Sequence, residues 1–575
     1  MCGIAGIVGP KENYTFEINQ MVLVQSHRGP DAQGIYCSSH IALGHNRLSI
    51  IDLDATANQP FHSSCNRYVM VFNGEIYNYK DLKSHLSGYS FHTNSDTEVL
   101  LALYIKYGTR MLEMLNGMFA FAIWDTLEEK LFCGRDRFGV KPFYYAHQNG
   151  EFVFASEIKA LQTTSIRPAL NQTVLADYLK SGSYGFPVET FWENVSQLPG
   201  GSYLEYDFRT QKIKESVYYD FVGRVGAIEP SQSLGELKEL YSELLYDSVS
   251  LRFISDVPVG FNLSGGLDSS LLVAFVNKTN AHLQEKVEAY TFYTGHAEYD
   301  ELPWVEQLLK HGGNPLNKVK LSVADVPVLA EETAYFQDEP FGGFPTIAYS
   351  QLFKVANQKG VKVLLDGQGM DESWAGYDYY RSSSEALVQG TAMPLTRPEV
   401  FDKEFLNQSR PKDYPKPFES RLQNLQYRDL FYTKIPRALR FNDRVSMQFS
   451  VELREPFLDY RLVELAFAQA ETFKIKGNVG KWFLREFAKD ILPKELSFAP
   501  KRPLQTPQRE WLKLELKDWA EGHIDQLEKA DFVNSKVLKK EWKNYLNGHS
   551  DNSFYVWQWI NLNIILNTKK VNGIK

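Results

Sequence analysis

Short apolar runs alternate with amphipathic stretches along most of the chain. In the first third, Gly3 to Val8 and Tyr68 to Phe72 are apolar runs that predict strands. An amphipathic stretch that begins near Asp96 and extends through Tyr107 predicts a helix. This part of the chain therefore combines short strands with helices of ordinary length.

A different alternation begins after residue 233. Leu234 to Arg252 predicts a strong amphipathic helix, and Val257 to Leu263, Val287 to Phe292 and Val361 to Leu365 predict buried strands separated by helical runs. Strands that alternate with helices are typical of a doubly wound parallel sheet, whose ligands bind at the carboxyl ends of the strands. We expect a two-domain α/β protein with helical additions to the second domain.

The stretch between the two patterns, Gly223 to Ser233, contains Gly, Pro and Ser and has little periodicity. We place the domain boundary there, with a first domain over residues 2–220 and a second over 234–575. A chain of 575 residues is long enough for two or more domains. Within the second domain, Trp511 to Lys575 is predicted to be helical, with Trp542, Trp557 and Trp559 as packing aromatics.

Composition and charge narrow the class of protein. A net charge of −8 without a basic block argues against a nucleic-acid partner, and no apolar run reaches the length of a membrane span. The N-terminus has no basic leader and its apolar run is too short for a secretory signal, so we expect a cytoplasmic protein. A homodimer is compatible with the sequence. The four cysteines form no CxxC pair, so neither a zinc site nor a disulfide framework is predicted.

The segment Phe261 to Ser270 predicts a strand, a turn of small residues and a helix N-terminus. This arrangement binds anions, because free backbone N–H groups and the helix dipole face the ligand. The turn lacks the Gly-Lys-Ser/Thr ending of a Walker A loop. Asp268 would repel a phosphate unless a divalent cation lay between them. The alternative is an ordinary glycine turn with a capped helix.

A second loop with carboxylates follows the strand that ends at Leu365. It contains Asp366, Gly367, Gln368 and Asp371. Asp371 and Asp268 are predicted to hold one Mg²⁺ against the phosphates of a bound ligand. The alternative is a solvated acidic loop.

Cys2 follows the initiator Met and precedes a glycine, so removal of Met1 would leave a thiol nucleophile beside its own α-amine. Alternatively, Cys2 is incidental to the first strand. Asn73 and Gly74 predict either a hairpin turn or a pair of donors to an oxyanion. Asp96 predicts either a helix N-cap or a partner for an ammonium group.

The motifs of the first domain resemble the class II glutamine amidotransferase domain over roughly residues 2 to 210. They are MCGI, HRGPD, RLSI, NGEIYN, SDTE, GMFAFA, GRDRFGVKPFYY and FASEIKAL. The resemblance implies an Ntn-type antiparallel αββα sandwich that hydrolyses glutamine through a thioester. It implies that Cys2 is the nucleophile, that Asn73 and Gly74 bind the oxyanion, and that the glutamine site contains Arg47, Leu48, Ser49, Ile50, Ile51, Glu75 and Asp96. Arg47 would bind the α-carboxylate of glutamine, and Glu75 and Asp96 its α-amine.

The second domain resembles the N-type ATP pyrophosphatases through SGGLDSS. Together with DGQGMDE, REPFLD and KxxLR, this motif makes the chain similar to the glutamine-dependent, AsnB-type asparagine synthetases up to about Trp511. The resemblance implies ATP and Mg²⁺, adenylation of aspartate, internal transfer of ammonia, and stabilisation of pyrophosphate by Lys481. It implies an ATP site made of Leu263, Ser264, Gly265, Gly266, Asp268, Ser269, Ser270, Thr294, Asp366 and Gly367.

One departure bears on the substrate. Many asparagine synthetases have SGEGSDE where this chain has DGQGMDE, so Gln368 replaces a glutamate. Glutamine forms hydrogen bonds but cannot accept a proton. The alternative function is therefore the same chemistry on another carboxylate, such as a cell-wall or surface-sugar acid. A binding protein without catalysis is disfavoured, because both Cys2 and the Ser264–Ser270 loop are present.

Overall fold

A computed structural model of the chain describes residues 2–167, 169–282, 286–382, 395–492, 497, 505–549 and 552–571. The strands of its N-terminal part are β1 (Gly3–Val8), β2 (Ala32–Ser38), β3 (Ile41–Arg47), β4 (Phe61–His62), β5 (Tyr68–Ile76), β6 (Gly117–Asp125), β7 (Lys130–Arg135), β8 (Tyr144–Gln148), β9 (Glu151–Ala155), β10 (Ser196–Gln197), β11 (Ser202–Asp207) and β12 (Lys212–Val217). They form two six-stranded sheets with the orders β10-β8-β9-β1-β3-β2 and β12-β11-β7-β6-β5-β4.

All strand pairs in these two sheets are antiparallel, and helices cover their outer faces. Helix Thr15–Val24 packs on the first sheet and Asp96–Tyr107 on the second, with a core of Ile, Val, Leu and Phe side chains between the sheets. The predicted αββα sandwich is confirmed. The remaining helices of this part are Tyr79–Lys83, Met111–Met114, Ile158–Leu161, Gln172–Ser181 and Phe221–Gly226.

The C-terminal part is built on a parallel sheet. Its strands are β13 (Val259–Asn262), β14 (Ala289–Tyr293), β15 (Leu316–Lys320), β16 (Val363–Leu365) and β17 (Glu452–Arg454), in the order β15-β14-β13-β16-β17. The chain leaves β13 toward one edge and returns to β16 on its other side, so the switch point lies between β13 and β16. Ligands of open parallel sheets bind at such a point.

Helices surround this sheet, as predicted for a doubly wound fold. A two-stranded hairpin, β18 (Ile475–Lys476) and β19 (Val479–Gly480), lies beside them. The helices are Leu234–Leu251, Leu267–Thr279, Leu302–Gly312, Val326–Gln337, Phe344–Gln358, Met370–Ser373, Lys403–Leu406, Arg421–Arg428, Ile435–Met447, Tyr460–Ala468, Glu471–Lys474, Trp482–Ala488, Gln508–Lys513, Lys517–Leu527, Ser535–Leu546 and Phe554–Val571. In the part of the chain that the structure describes, none of the helices is long and apolar enough to cross a bilayer.

The observed bounds of some elements differ from the predicted bounds. β1 has the predicted bounds, but the helix after the Ser264–Ser270 loop begins at Leu267, because Gly266 already serves as its N-cap residue. The predicted linker, Gly223 to Ser233, begins inside a helix, Phe221–Gly226, which Asp220 caps by accepting a bond from Gly223 N. Helices also occupy most of the described residues after Trp511, as predicted.

Trp542, Trp557 and Trp559 are buried, which confirms the prediction that these three tryptophans pack. They belong to a core that also contains Tyr178 of helix Gln172–Ser181. Gln558 Nε2 donates to Tyr178 O at 2.6 Å. The C-terminal helices therefore fix the position of a helix from the N-terminal part.

A buried ionic contact joins the two parts close to Cys2. The Arg28 guanidinium donates to both oxygens of Asp443 at 2.9 and 3.1 Å and to Glu157 Oε1 at 2.9 Å. Its Nε donates to Cys2 O at 3.1 Å. Arg28 has no exposed surface, so all four bonds lie in a low-dielectric environment, where the charges need one another.

We therefore expect Arg28→Met to lower the free energy of unfolding of the full chain by about 3–5 kcal/mol, because it removes the ion-pair partner of the buried Asp443, while Glu157 keeps Lys159 and Arg444. Urea unfolding followed by tryptophan fluorescence measures this change. The matched control is Arg209→Met, which removes an exposed pair with Glu129 and should leave the unfolding midpoint unchanged. An Arg28→Met protein as stable as the Arg209→Met control would contradict the assignment.

Candidate active site

The first of two candidate centres lies where the ends of β1 and β5 meet. Cys2 precedes β1 and is only 8% exposed, and its nitrogen donates to Asn73 Oδ1 at 2.9 Å. After removal of Met1, this nitrogen would be the α-amine. Burial raises the pKa of the Cys2 thiol, whereas the Leu48 N–H and the Arg47 guanidinium act in the opposite direction. The thiol therefore faces groups that can stabilise a thiolate.

Asn73 and Gly74 lie inside β5, which continues to Ile76, so the hairpin-turn interpretation is wrong. Gly74 pairs with Phe119 of β6, and a Cβ on Gly74 would overlap the Met118 carbonyl oxygen. Asn73 is fully buried, and its Nδ2 has no hydrogen-bond partner among the residues that the structure describes. A buried amide donor without a partner is costly unless a ligand accepts from it.

Two buried carboxylates border this position. Asp96 Oδ2 accepts a hydrogen bond from Ile76 N at 2.9 Å, while Ser95, not Asp96, is the N-cap of the helix. The N-cap interpretation of Asp96 is therefore wrong by one residue. Glu75 Oε1 lies 3.5 Å from Arg454 Nη2. Burial and the nearby Glu452 carboxylate raise the pKa of Glu75 well above its usual value.

Arg47 is held in place by the loop that follows it. Its Nη1 donates to Asp54 O at 2.8 Å and to Asn58 Oδ1 at 2.7 Å, and its Nη2 donates to Asp52 O. These bonds leave the guanidinium fixed at the end of β3. A cation fixed at this point suits the carboxylate of a small ligand.

The residues after Arg47 touch the C-terminal part of the chain. Leu48 and Ile50 are buried in a core made mostly of residues after 236, and the Ile50 carbonyl accepts from Asp256 N at 2.9 Å. Ser49 N donates to Asp31 Oδ2 at 2.7 Å, and Ile51 O lies 3.5 Å from Arg47 Nη2. The predicted glutamine-site segment is therefore also a contact between the two parts.

The second candidate centre lies at the switch point of the parallel sheet, in a cavity of about 950 Å³. The loops after β13 and β16 form much of its wall, as the position of the switch point requires. Nine residues predicted for ATP, metal or pyrophosphate line it: Leu263, Ser264, Gly266, Asp268, Ser269, Asp366, Gly367, Asp371 and Lys481.

Three other predicted ATP residues are not part of this wall. Gly265 N donates to Glu301 Oε2 at 3.4 Å, and Ser270 Oγ donates to Gly266 O at 2.9 Å. Thr294 Oγ1 donates to Asp300 Oδ1 at 2.8 Å. The structure gives these three residues partners within the protein, while Glu301 and Asp300 line the cavity in their place.

Asp268, Asp371 and Lys481 meet on one side of the cavity. Lys481 Nζ lies 2.6 Å from Asp268 Oδ2 and 2.7 Å from Asp371 Oδ1. The two carboxylates raise the pKa of Lys481 against the effect of burial, so it remains charged. Gly376 permits this approach, because a Cβ there would overlap both Asp371 and Lys481. The cavity thus has a compact group of two anions and one cation.

This group fits the predicted Mg²⁺. The Asp268 and Asp371 carboxylates converge on the Lys481 ammonium group. Mg²⁺ binds proteins through one or two carboxylates of this kind, together with substrate phosphates. The described residues contain no cluster of three or more metal-ligating side chains. A metal here would therefore depend on phosphate oxygens for the rest of its ligands.

Asp366 and Gln368 form the wall nearest β17. Tyr349 OH donates to Asp366 Oδ2 at 2.5 Å and Gly367 N donates to Asp366 Oδ1 at 2.7 Å. Burial raises the pKa of Asp366 although these bonds and one from the Gln368 side chain oppose it. Sequence reasoning missed Tyr349 and Glu301, since neither belongs to a recognisable motif.

Residues from both parts of the chain line a much smaller cavity of about 20 Å³. Its first-domain wall includes Gly117 and Met118 of β6, which pair with Ile76 and Glu75 of β5. Glu455 belongs to its opposite wall. A space of this size holds about one water-sized molecule.

Comparison with known proteins identifies the family. The asparagine synthase profile matches residues 240–567, more than half of the chain, and a glutamine amidotransferase domain profile matches residues 1–219. The chain belongs to the asparagine synthase family. It is a glutamine-dependent amidotransferase ligase of the AsnB-type two-domain class, and the family uses ATP as a substrate.

Three glutamine-hydrolysing asparagine synthetases of Bacillus subtilis are among its relatives. Asparagine synthetase 1 is 28% identical, over 98% of this chain and 97% of that protein. Asparagine synthetase 3 is 29% identical, over 88% and 86%, and asparagine synthetase 2 is 34% identical, over 81% and 66%. The similarity to the first of these covers both candidate centres.

The first centre predicts a pH-dependent stability difference. Burial raises the pKa of Asp96 from 3.8 to about 6, although the Ile76 N–H opposes this. The folded state therefore holds the Asp96 proton more tightly, and this contribution to stability is lost as the pH rises from about 4 to about 6. Asp96→Asn has no such loss, so it should be more stable than the wild type by about 2–3 kcal/mol near pH 8 and equal to it near pH 4.

Urea unfolding of both proteins at these two pH values measures the difference. The matched control is Asp413→Asn, which replaces an exposed aspartate and should follow the wild type at both pH values. A constant offset between Asp96→Asn and the wild type at both pH values would contradict the assigned environment of Asp96.

Proposed function

We propose that this enzyme transfers the amide nitrogen of glutamine to the side-chain carboxylate of L-aspartate, with cleavage of ATP to AMP and pyrophosphate. The observation that carries the proposal is the pairing of two built centres in one chain. One combines Cys2 with the buried Nδ2 of Asn73, which has no partner among the described residues, and the other is a cavity of about 950 Å³ with an anion-binding loop and two carboxylates. We assign residues 2–220 to the first reaction and 234–575 to the second.

In the first centre, Cys2 Sγ attacks the amide carbon of glutamine and the α-amine acts as base. Asn73 Nδ2 and Gly74 N donate to the oxyanion, where buried donors are strongest. Arg47 binds the α-carboxylate, and Glu75 and Asp96 bind the α-ammonium group of glutamine, alongside Leu48, Ser49, Ile50 and Ile51. The C–N bond breaks, the amine proton goes to the leaving ammonia, and water hydrolyses the thioester to glutamate.

In the second centre, an oxygen of the acceptor carboxylate attacks the α-phosphorus of ATP. Backbone N–H groups at the start of helix Leu267–Thr279 and the hydroxyls of Ser264 and Ser269 bind phosphate oxygens. Lys481 neutralises charge on the leaving pyrophosphate. Asp268 and Asp371 would hold Mg²⁺, which supplies further charge neutralisation on the phosphates when bound.

Ammonia connects the two reactions. It attacks the acyl-adenylate carbon, the amide C–N bond forms, and AMP leaves with the electrons of the C–O bond. In water, ammonia would be protonated and lost as a nucleophile, so a dry route favours the transfer. The cavity of about 20 Å³ that residues from both parts of the chain line supports such a route.

One residue favours a carboxylic acid other than L-aspartate as the acceptor of nitrogen. Gln368 replaces the glutamate of many asparagine synthetases and lines the acceptor cavity. The same adenylation and amidation of a cell-wall or surface-sugar acid would need a different pocket around the acceptor and nothing else. Relatives near 30% identity support the shared reaction more strongly than the acceptor.

An assay of pyrophosphate release decides between the acceptors. The purified full chain receives ATP, Mg²⁺ and glutamine, with L-aspartate or a panel of other carboxylic acids. We expect aspartate to raise pyrophosphate release at least about tenfold and to give asparagine in equal amount, because adenylation requires the acceptor. Stimulation by another acid alone supports the second acceptor. Stimulation by no acid contradicts both.

The Cys2→Ala variant provides the matched control in this assay. It should form no amide from glutamine, because the thioester cannot form, and should retain amide formation from ammonium chloride. Glutamine-dependent product at the wild-type rate would show that Cys2 is not the nucleophile.

A further inference from the structure

Glu455 occupies a position that the proposed reaction does not yet use. It follows β17 directly, and β17 pairs in parallel with β16 so that Leu365 and Arg454 are partners. Asp366 N donates to Arg454 O at 2.9 Å. Glu455 and Asp366 are therefore the residues that leave two neighbouring strands at the same edge of the sheet, beside the switch point.

The Glu455 side chain is buried, with 4% of the residue exposed. Three elements act on its carboxyl group. Asp366 and the Gln368 N–H come from the loop after β16, the Asn442 amide from helix Ile435–Met447, and the Lys141 ammonium from the N-terminal part. Gln368, Asn442 and Asp366 line the large cavity, whereas Glu455 lines the small one. Its carboxyl group thus lies in the wall between the two cavities.

The small cavity borders a strand that lies against the first centre. Met118, which lines it, pairs with Glu75, and the Met118 carbonyl lies against Gly74. Of the two side chains, Glu455 lines the small cavity, which β6 also borders, and Gln368 lines the acceptor cavity. Gln368, on the acceptor side, has an amide that cannot accept a proton.

We infer that Glu455 is the proton acceptor for ammonia in this enzyme, in place of a carboxylate at position 368. The inference rests on the proposed function. When ammonia attacks the acyl-adenylate, nitrogen gains a bond to carbon and must lose one proton. The Glu455 carboxylate takes that proton as the C–O bond to AMP breaks, and returns it to solvent after the amide leaves. General base catalysis of this kind contributes about 10²–10⁴-fold in rate.

The environment of Glu455 agrees with this role. Burial and the neighbouring Asp366 raise the pKa of Glu455 well above its usual value, while Lys141 opposes them. A raised pKa makes the Glu455 carboxylate a stronger base than an exposed glutamate, so it takes a proton from nitrogen more readily. Glu372 is the other glutamate of the acceptor cavity, but its Oε1 accepts from Tyr377 OH at 2.6 Å and it lies beside Asp371, on the metal side.

Glu455→Gln tests the inference through the ratio of products. With ATP, Mg²⁺, the acceptor acid and glutamine, glutamate formation and pyrophosphate release should stay within about threefold of the wild type, because Glu455 takes part in neither step. Amide formed per pyrophosphate should fall at least about tenfold, with ammonium chloride as well as with glutamine, because the base for the amidation step is missing. The adenylate is then lost to hydrolysis.

Two further variants separate a catalytic from a structural effect. Gln368→Glu added to Glu455→Gln should recover amide per pyrophosphate by about tenfold, since it returns a carboxylate to the acceptor wall. Glu464→Gln, which removes a buried partner of Arg224 away from both cavities, should keep the wild-type ratio. If Glu455→Gln does not fold, Glu455→Asp is used in its place. Glutaminase activity then tests folding, and amide formed per pyrophosphate is again expected to fall.

The outcomes are distinguishable. An unchanged ratio of amide to pyrophosphate in a folded Glu455 variant overturns the inference and leaves the proposed function standing. A wild-type enzyme that forms no amide with any acceptor overturns the proposed function itself. If every Glu455 variant loses glutaminase activity as well as amide formed per pyrophosphate, Glu455 has a structural role. That result also overturns the inference.

Discussion

Buried charges between the two halves of the chain determine where both reactive centres lie. Arg28 bonds the carbonyl of Cys2, Glu157 and Asp443 at once, without contact with solvent. Because an isolated charge is very costly in this environment, the halves are stable only when these groups meet. The same bonds fix Cys2 at the end of β1. The contact between the two halves and the position of the Cys2 thiol therefore depend on the same arginine.

A second set of charges extends this contact into the first centre. Arg454 leaves the edge strand β17, pairs with Glu452 at 2.5 Å and reaches Glu75 at 3.5 Å. Its Nη1 also donates to the carbonyls of Arg252 and Ile254 at 2.8 Å. The parallel sheet thus supplies an arginine to the centre built by the antiparallel sheets, and the next residue, Glu455, faces the cavity between them. The proposed ammonia route follows directly from this packing.

Much of this arrangement could be predicted from the sequence. Continuous apolar runs located β1 and three of the five parallel strands, β13, β14 and β16, and the small-residue loop after β13 placed an anion site at a strand end. The hairpin interpretation of Asn73 and Gly74 failed because cross-strand pairing with β6 overrides the turn preference of Asn-Gly. The cap of helix Asp96–Tyr107 was misplaced by one residue because Ser and Asp are both good N-caps.

Other features leave no local signal. Arg28 and Asp443 are 415 residues apart, and their pairing follows only from how the two halves pack. The HRGPD and REPFLD motifs contained Arg28, Arg454 and Glu455, yet spacing within a motif does not reveal a partner in another domain. Tyr349 and Glu301 were missed for the same reason. Gly376 is required by the approach of Lys481 to Asp371, which also depends on tertiary packing.

The central claim is that nitrogen passes from the Cys2 centre to the acceptor cavity inside the protein. Competition between amide-¹⁵N glutamine and unlabelled ammonium in solution tests it most directly, with mass spectrometry of the amide product. Internal transfer predicts that the product keeps the ¹⁵N enrichment of the glutamine when glutamine is saturating, whatever ammonium is added. Enrichment that falls in proportion to the external ammonium would contradict the account.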